Sequence, residues 1–170
     1  MNNQNLDLNA ILIKPIYISL AMNVFVPVIF LLVAYYVDHP DLSHRGLEIA
    51  QLPILLWVLV AVSLGDIGMA VFLKRKLFFS PMIYSRETFV EDLARRTLTI
   101  TIICTALTTA ISVYGLVYYF IGGTFDHLLL FVFVSFIAYQ LIRPRHGYMK
   151  KVVEAQERLM EEEKYYRPKP

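Results

Sequence analysis

The chain has a single cysteine, Cys104, in 170 residues. A lone thiol inside an apolar stretch excludes a disulfide framework and a cysteine-based zinc site. Charge is scarce: Asp, Glu, Lys and Arg make up 18% of the residues, against about 25% in ordinary soluble domains. The glycine-rich phosphate loop, the nucleophile turn of hydrolases and the His-Glu-x-x-His metalloprotease helix are all missing. Of the four histidines, His39, His44 and His146 lie outside the long apolar stretches and His127 sits at the outer mouth of the last one, which leaves no axial ligands for a haem held deep between helices. No internal repeat or low-complexity tract occurs. What remains is hydrophobic: 57% of residues, with a mean hydropathy of +0.54.

That hydrophobicity is concentrated in four runs, at 16–37, 52–73, 98–121 and 125–142. A helix needs about 20 residues to cross a hydrocarbon core, and each run meets or approaches that length. The expected fold is therefore an all-α membrane protein: a four-helix transmembrane bundle over 1–146, followed by a cytoplasmic amphipathic helix and tail over 147–170. There is no room for a second folded domain. The first run is too long for a signal-peptide core and has no small-residue cleavage site, so it is expected to be retained as a span.

The basic residues are unevenly placed. Lys74, Arg75, Lys76, Arg86, Arg95 and Arg96 lie between runs two and three, and eight more lie from Arg143 onward. Arg45 alone follows run one, and no basic residue separates runs three and four. The positive-inside rule then places both termini and the middle connector in the cytoplasm. Run one opens at Lys14-Pro15, where proline suits a first helical turn, and Pro27 is expected to kink it. Span three is expected to extend into the cytoplasm as an amphipathic helix from Ser85, with Phe78 and Phe79 at the membrane interface. Gly122-Gly123-Thr124 predicts a tight hairpin between spans three and four. In the tail, Met149, Val152, Val153, Leu159 and Met160 recur on one helical face, opposite Lys150, Lys151, Glu154, Glu157, Arg158 and Glu161. Such a helix lies on a membrane, docks to a partner or stands in solvent supported by its own ion pairs.

Three groups of residues have the chemistry for a site. Asp66 is the one carboxylate well inside any span, about 12 Å from Lys74 at 1.5 Å per residue. An ionisable group at that depth costs a few kcal/mol and is a candidate proton or ion carrier. The structural alternative is a lock between spans two and three, with Arg95 or Arg96 as partner, or Thr97 or Thr101 as hydrogen-bond donors. The second group is a hydroxyl stripe on span three: Thr97, Thr101, Thr105, Thr109 and Ser112, widened by Thr108. Near-regular i, i+4 spacing puts them on one face, where small polar residues permit close packing and cross-helix hydrogen bonds. Ala61 and Gly65 on span two form a small-residue pair able to meet the stripe. A hydroxyl-lined water path is the alternative. The third group, His39, His44, His127, Asp38, Asp41 and Asp126, lacks metal-ligand spacing and is read as solvated connectors. No metal, no other cofactor and no nucleic-acid partner are expected.

Residues 106–117, ending in Val113-Tyr114-Gly115-Leu116-Val117, resemble the outer helix of the ATP synthase subunit c (proteolipid) family. The segment onward through Gly122-Gly123 to Arg143-Pro144-Arg145 is similar to bacterial four-span membrane proteins that share this helix. The resemblance implies a bacterial inner membrane and a place near an energy-transducing complex. It also sets the ion-binding carboxylate position near Thr109, whose neutral hydroxyl cannot exchange a proton near pH 7. The Arg-Gln-Pro loop and glycine-repeat helix of that family have no counterpart here. The expected function is therefore non-enzymatic: an accessory, assembly or scaffold subunit that touches the lipid bilayer and other membrane subunits or copies of itself. The alternative is an ion- or proton-translocating component that uses Asp66.

Overall fold

The computed structural model describes residues 8–37, 51–80 and 88–161. Those residues form five helices and no strand: α1 (Leu8–Val37), α2 (Leu52–Phe79), α3 (Phe89–Phe120), α4 (Phe125–Ile142) and α5 (His146–Glu161). The first four are long and apolar enough to cross a membrane, and the fold is an all-α four-helix membrane bundle. His39, His44, Asp38, Asp41, Ser85 and the residues after 161 lie outside the described residues.

α3 is the hub. It packs on α1, α2 and α4, while the other three spans touch one another far less. Half of its most apolar stretch is buried, against 17% for α1 and 11% for α2. The cause lies in residue type. α1, α2 and α4 carry mostly large apolar side chains that lipid accepts on any face, whereas α3 carries a row of hydroxyls that hydrocarbon does not solvate.

α1 starts seven residues earlier than Pro15, so Pro15 lies inside the helix and not at its opening. The earlier turns form because Leu8, Ile11 and Leu12 are buried in a cluster with Ala70, Phe78, Leu93, Ile142, Met149 and Val152. That burial outweighs the single backbone bond that Pro15 cannot donate. α2 likewise runs past the basic cluster to Phe79. Phe78 is enclosed, while Phe79 keeps 44% of its surface exposed, so only one of the pair sits as expected at an interface. α3 begins at Phe89, where the Thr88 hydroxyl donates to Asp92 at 2.7 Å and Glu91 and Asp92 favour the positive end of the helix dipole.

The hairpin between α3 and α4 turns on glycine. Gly122 has φ 117°, a conformation that side chains disfavour. Gly123 donates its N–H to the Tyr118 carbonyl at 2.9 Å, and a Cβ there would run into the Tyr118 ring. About two turns below, Gly115 permits α4 to approach: a Cβ at Gly115 would lie 2.6 Å from Phe131 Cβ.

α5 does not stand apart in solvent. Met149, Val152 and Gln156 are buried against the basic end of the bundle. Tyr148 stacks edge-on against both Phe78 and Phe79, and Lys74 Nζ sits 4.6 Å above the Tyr148 ring. Burial pushes the Tyr148 hydroxyl above its ordinary pKa, with Arg75 opposing. Gln156 Nε2 donates to the carbonyls of Phe78 at 3.0 Å and Ser80 at 2.9 Å. Carbonyls at a helix C-terminus lack intrahelical partners, and Gln156 supplies them from 78 residues away. The expected apolar face thus includes a glutamine at its centre, while Val153 and Leu159 are only half-buried.

Two substitutions test this packing. Gly115→Ala should lower stability by about 1–3 kcal/mol because Phe131 Cβ is fixed to its backbone and cannot yield. Gln156→Ala should cost about 1–3 kcal/mol by leaving buried carbonyls without donors. Unfolding of the purified protein in mixed detergent micelles with increasing dodecyl sulfate measures both. Unchanged midpoints would contradict the close approach and the cap, respectively.

Candidate functional site: polar groups inside the bundle

Thr97, Thr101, Thr105, Thr108, Thr109 and Ser112 are all buried, and Thr97, Thr108 and Ser112 are completely enclosed. The row does not meet the small residues of α2. Ala61 and Gly65 face outward, and a Cβ built on Gly65 meets nothing within 4 Å. Hydrogen bonds from the middle of the row go to α1 and α4. Thr108 Oγ1 lies 3.2 Å from Asn23 Oδ1 on α1 and 2.9 Å from its own helix's Thr105 carbonyl, so one proton serves either acceptor. Ser135 on α4 donates to the Thr108 carbonyl at 2.7 Å. Asn23 Nδ2 donates to the Ser19 carbonyl at 3.2 Å, and the Ser19 hydroxyl lies 3.3 Å from the Tyr139 hydroxyl. Three helices are therefore tied at one level by side-chain hydroxyls and one amide.

Asn23, Ser19, Ser135 and Tyr139 do not emerge from the sequence argument above. The signal for two of them is present: Ser19, Asn23 and Pro27 recur at i, i+4, and all three are buried on the same face of α1. An amide inside an apolar span is costly unless paired, so Asn23 by itself marks a packed face. Pro27 adds to this, since it has no N–H for the Asn23 carbonyl.

The remaining hydroxyls of the row behave differently. Ser112 Oγ donates to the Thr109 carbonyl at 2.7 Å. The hydroxyls of Thr97, Thr101 and Thr109 are buried with no hydrogen-bond partner among the described residues. Rotation about χ1 brings a helical threonine hydroxyl to the carbonyl four residues back, so each has a donor route within α3.

Asp66 takes a partner other than Arg95 or Arg96. The Tyr114 hydroxyl donates to Asp66 Oδ2 at 2.8 Å. Helix register explains the choice. The Cys104 thiol lies 3.5 Å from the Ala70 carbonyl, which aligns those two residues across the α2–α3 contact. Asp66 lies about 6 Å from Ala70 toward the hairpin end, and Arg96 lies about 12 Å from Cys104 the other way, at 1.5 Å per residue. Roughly 18 Å of helix axis then separates the carboxylate from Arg96. Arg95 and Arg96 are exposed, while Tyr114 reaches back along α3 because helical side chains point toward the N-terminus. Asp66 itself is half-buried, in the groove between α2 and α3, on a helix whose outer face is otherwise apolar.

Outside the bundle, the Thr124 hydroxyl and His127 Nδ1 are 2.6 Å apart, which pins His127 to the first turn of α4, and its ring packs edge-on against Tyr118. Asp126 is exposed. Among the described residues no three His, Cys, Asp or Glu side chains come together as a metal site. Comparison with known proteins finds no matching family model, no matching curated protein and no matching solved structure.

The buried network makes a quantitative prediction. In a double-mutant cycle with Asn23→Leu and Thr108→Val, unfolding in micelles should give a coupling of about 0.6 kcal/mol, and at most about 1.7 kcal/mol. Ser135→Ala should be additive with Thr108→Val, because Ser135 bonds the backbone at Thr108 and not its side chain. A coupling of zero between Asn23 and Thr108 would contradict the hydrogen bond.

Proposed function

We propose that the chain is a non-enzymatic accessory or scaffold subunit of a larger membrane complex, seated in a bacterial inner membrane with both termini cytoplasmic. The observation that carries this reading is the outer face of α2. Ala61, Gly65 and Gly68 line an open strip, and Cβ atoms built on either glycine meet nothing within 4 Å. Inside a bundle such small residues let helices pack closely. Here they are spent on no contact among the described residues, and glycine in a helix costs about 1 kcal/mol relative to alanine. A second helix against the strip gives them a use. Ser19, Asn23, Thr108, Ser135 and Tyr139 are engaged in holding α1, α3 and α4 together, which supports a structural role over a chemical one.

The test is substitution on the open strip. Gly65→Leu and Gly68→Leu should leave the isolated chain as stable as before, since nothing there is displaced, and should abolish copurification with partner subunits or self-association in mild detergent. A wild-type chain that runs as a bare monomer after gentle extraction would overturn the proposal.

A second reading has its own support in the Asp66–Tyr114 pair. The carboxylate accepts a hydrogen bond from one neutral hydroxyl and makes no ion pair among the described residues, so its charge is not tied up in a salt bridge there. On this reading the chain is an ion-translocating component that resembles subunit c, with Asp66 as the carrier. Asp66→Asn should abolish proton flux in reconstituted vesicles, and Tyr114→Phe, which removes only the hydrogen bond to Asp66, should change the rate of flux without removing it. Wild-type vesicles that pass no protons, or Asp66→Asn vesicles that pass as many as wild type, would end this reading.

A further inference from the structure

We infer that the crease between the end of α2 and α5 is a binding site for the head group of an anionic phospholipid. The crease is open on one side, has a volume of about 380 Å³ and is lined, among the described residues, by Phe79 of α2 and by Lys151, Glu154, Ala155, Arg158 and Leu159 of α5. Three observations converge on that ligand.

The first is position. α2 has 28 residues, about 42 Å of helix, so it overruns a hydrocarbon core of about 30 Å. Lys74, Arg75 and Lys76 mark where it leaves that core, and Phe79 follows about 7.5 Å beyond Lys74, within the head-group layer. Phe79 keeps 44% of its surface exposed and stacks edge-on with Tyr148, the placement that aromatic rings take at a membrane interface. The site therefore opens at the depth where phosphates lie.

The second is charge. Lys151 and Arg158 stand two turns apart on one face of α5, about 10.5 Å along its axis, and both are exposed. Neither makes an ion pair among the described residues, although Glu154 lies between them. Among the described residues, two cations and one carboxylate leave the lining at +1, the charge that one phosphodiester neutralises. Basic pockets at the membrane surface beside transmembrane helices bind anionic head groups in this way.

The third is the floor. Phe79 and Leu159 offer apolar surface beside the cations, which suits the glycerol backbone and upper acyl carbons of a lipid and not a free phosphate ion. The inference concerns lipid and stands apart from the partner-subunit reading, which rests on the other end and face of α2.

Native mass spectrometry of the full-length protein, released from micelles with dioleoyl phosphatidylglycerol or dioleoyl phosphatidylcholine added, tests the assignment. Wild-type protein should retain the phosphatidylglycerol in preference. The double variant Lys151→Gln/Arg158→Gln should bind it roughly 30-fold more weakly, at about 1 kcal/mol for each cation lost. Both side chains are exposed, so helicity by circular dichroism should be unchanged. Lys14→Gln/Lys150→Gln removes two exposed cations outside the crease and should leave binding within a few-fold of wild type. Equal retention of phosphatidylcholine, full binding by Lys151→Gln/Arg158→Gln, or equal weakening by Lys14→Gln/Lys150→Gln would overturn the site. Glycerol phosphate that competes as well as the lipid would assign the crease to a soluble phosphate and overturn the lipid.

Discussion

A hydroxyl or amide in hydrocarbon has no water to bond, and that constraint organises this bundle. α3 buries six such hydroxyls between Thr97 and Ser112, so it cannot show that face to lipid. It becomes the central helix, and α1, α2 and α4 take their places around it. Asn23 and Ser135 complete the arrangement from the other side, each bonding to α3 at Thr108. Hydrophobicity brings the chain into the membrane but does not choose which helices touch, because lipid tails are as apolar as leucine. The choice falls to the minority of polar side chains and to glycines such as Gly115 that set how close two helices come.

The same logic explains what the sequence made legible. Span number, the hairpin at Gly122-Gly123 and the hydroxyl face of α3 follow from composition and spacing. Helix ends do not, because they are decided at the basic end by residues far apart in sequence. Leu8 and Leu12 continue α1 past Pro15 only because Phe78, Met149 and Val152 are there to bury them. Asp66 is a further case. Its depth in the membrane is plain from counting residues, but its partner depends on register across α2 and α3, which the Ala70–Cys104 contact fixes and no local pattern reveals. Spacing alone placed Arg95 and Arg96 near it; the antiparallel alignment puts them about three helical turns too far along.

The four spans divide the work unevenly. α3 and α4 form a compact pair joined by four residues, α1 is tied to both through Ser19 and Asn23, and α2 contributes one well-packed edge and one bare one. The bare edge carries the small residues and flanks the single deep carboxylate. Both functional readings thus converge on the helix that contributes least to the bundle's own interior.

The cap on α2 also has a meaning in time. Phe78 and Ser80 leave the ribosome long before Gln156, which follows Phe78 by 78 residues. At 5–20 residues per second, roughly 4 to 16 s of synthesis separate them. Throughout that interval the end of α2 has no glutamine to cover it, and its last carbonyls must be served by water or lipid head groups. The basic end of the bundle is therefore the last part to close, and a ribosome that stops short of residue 156 leaves behind four inserted spans with an unsealed edge.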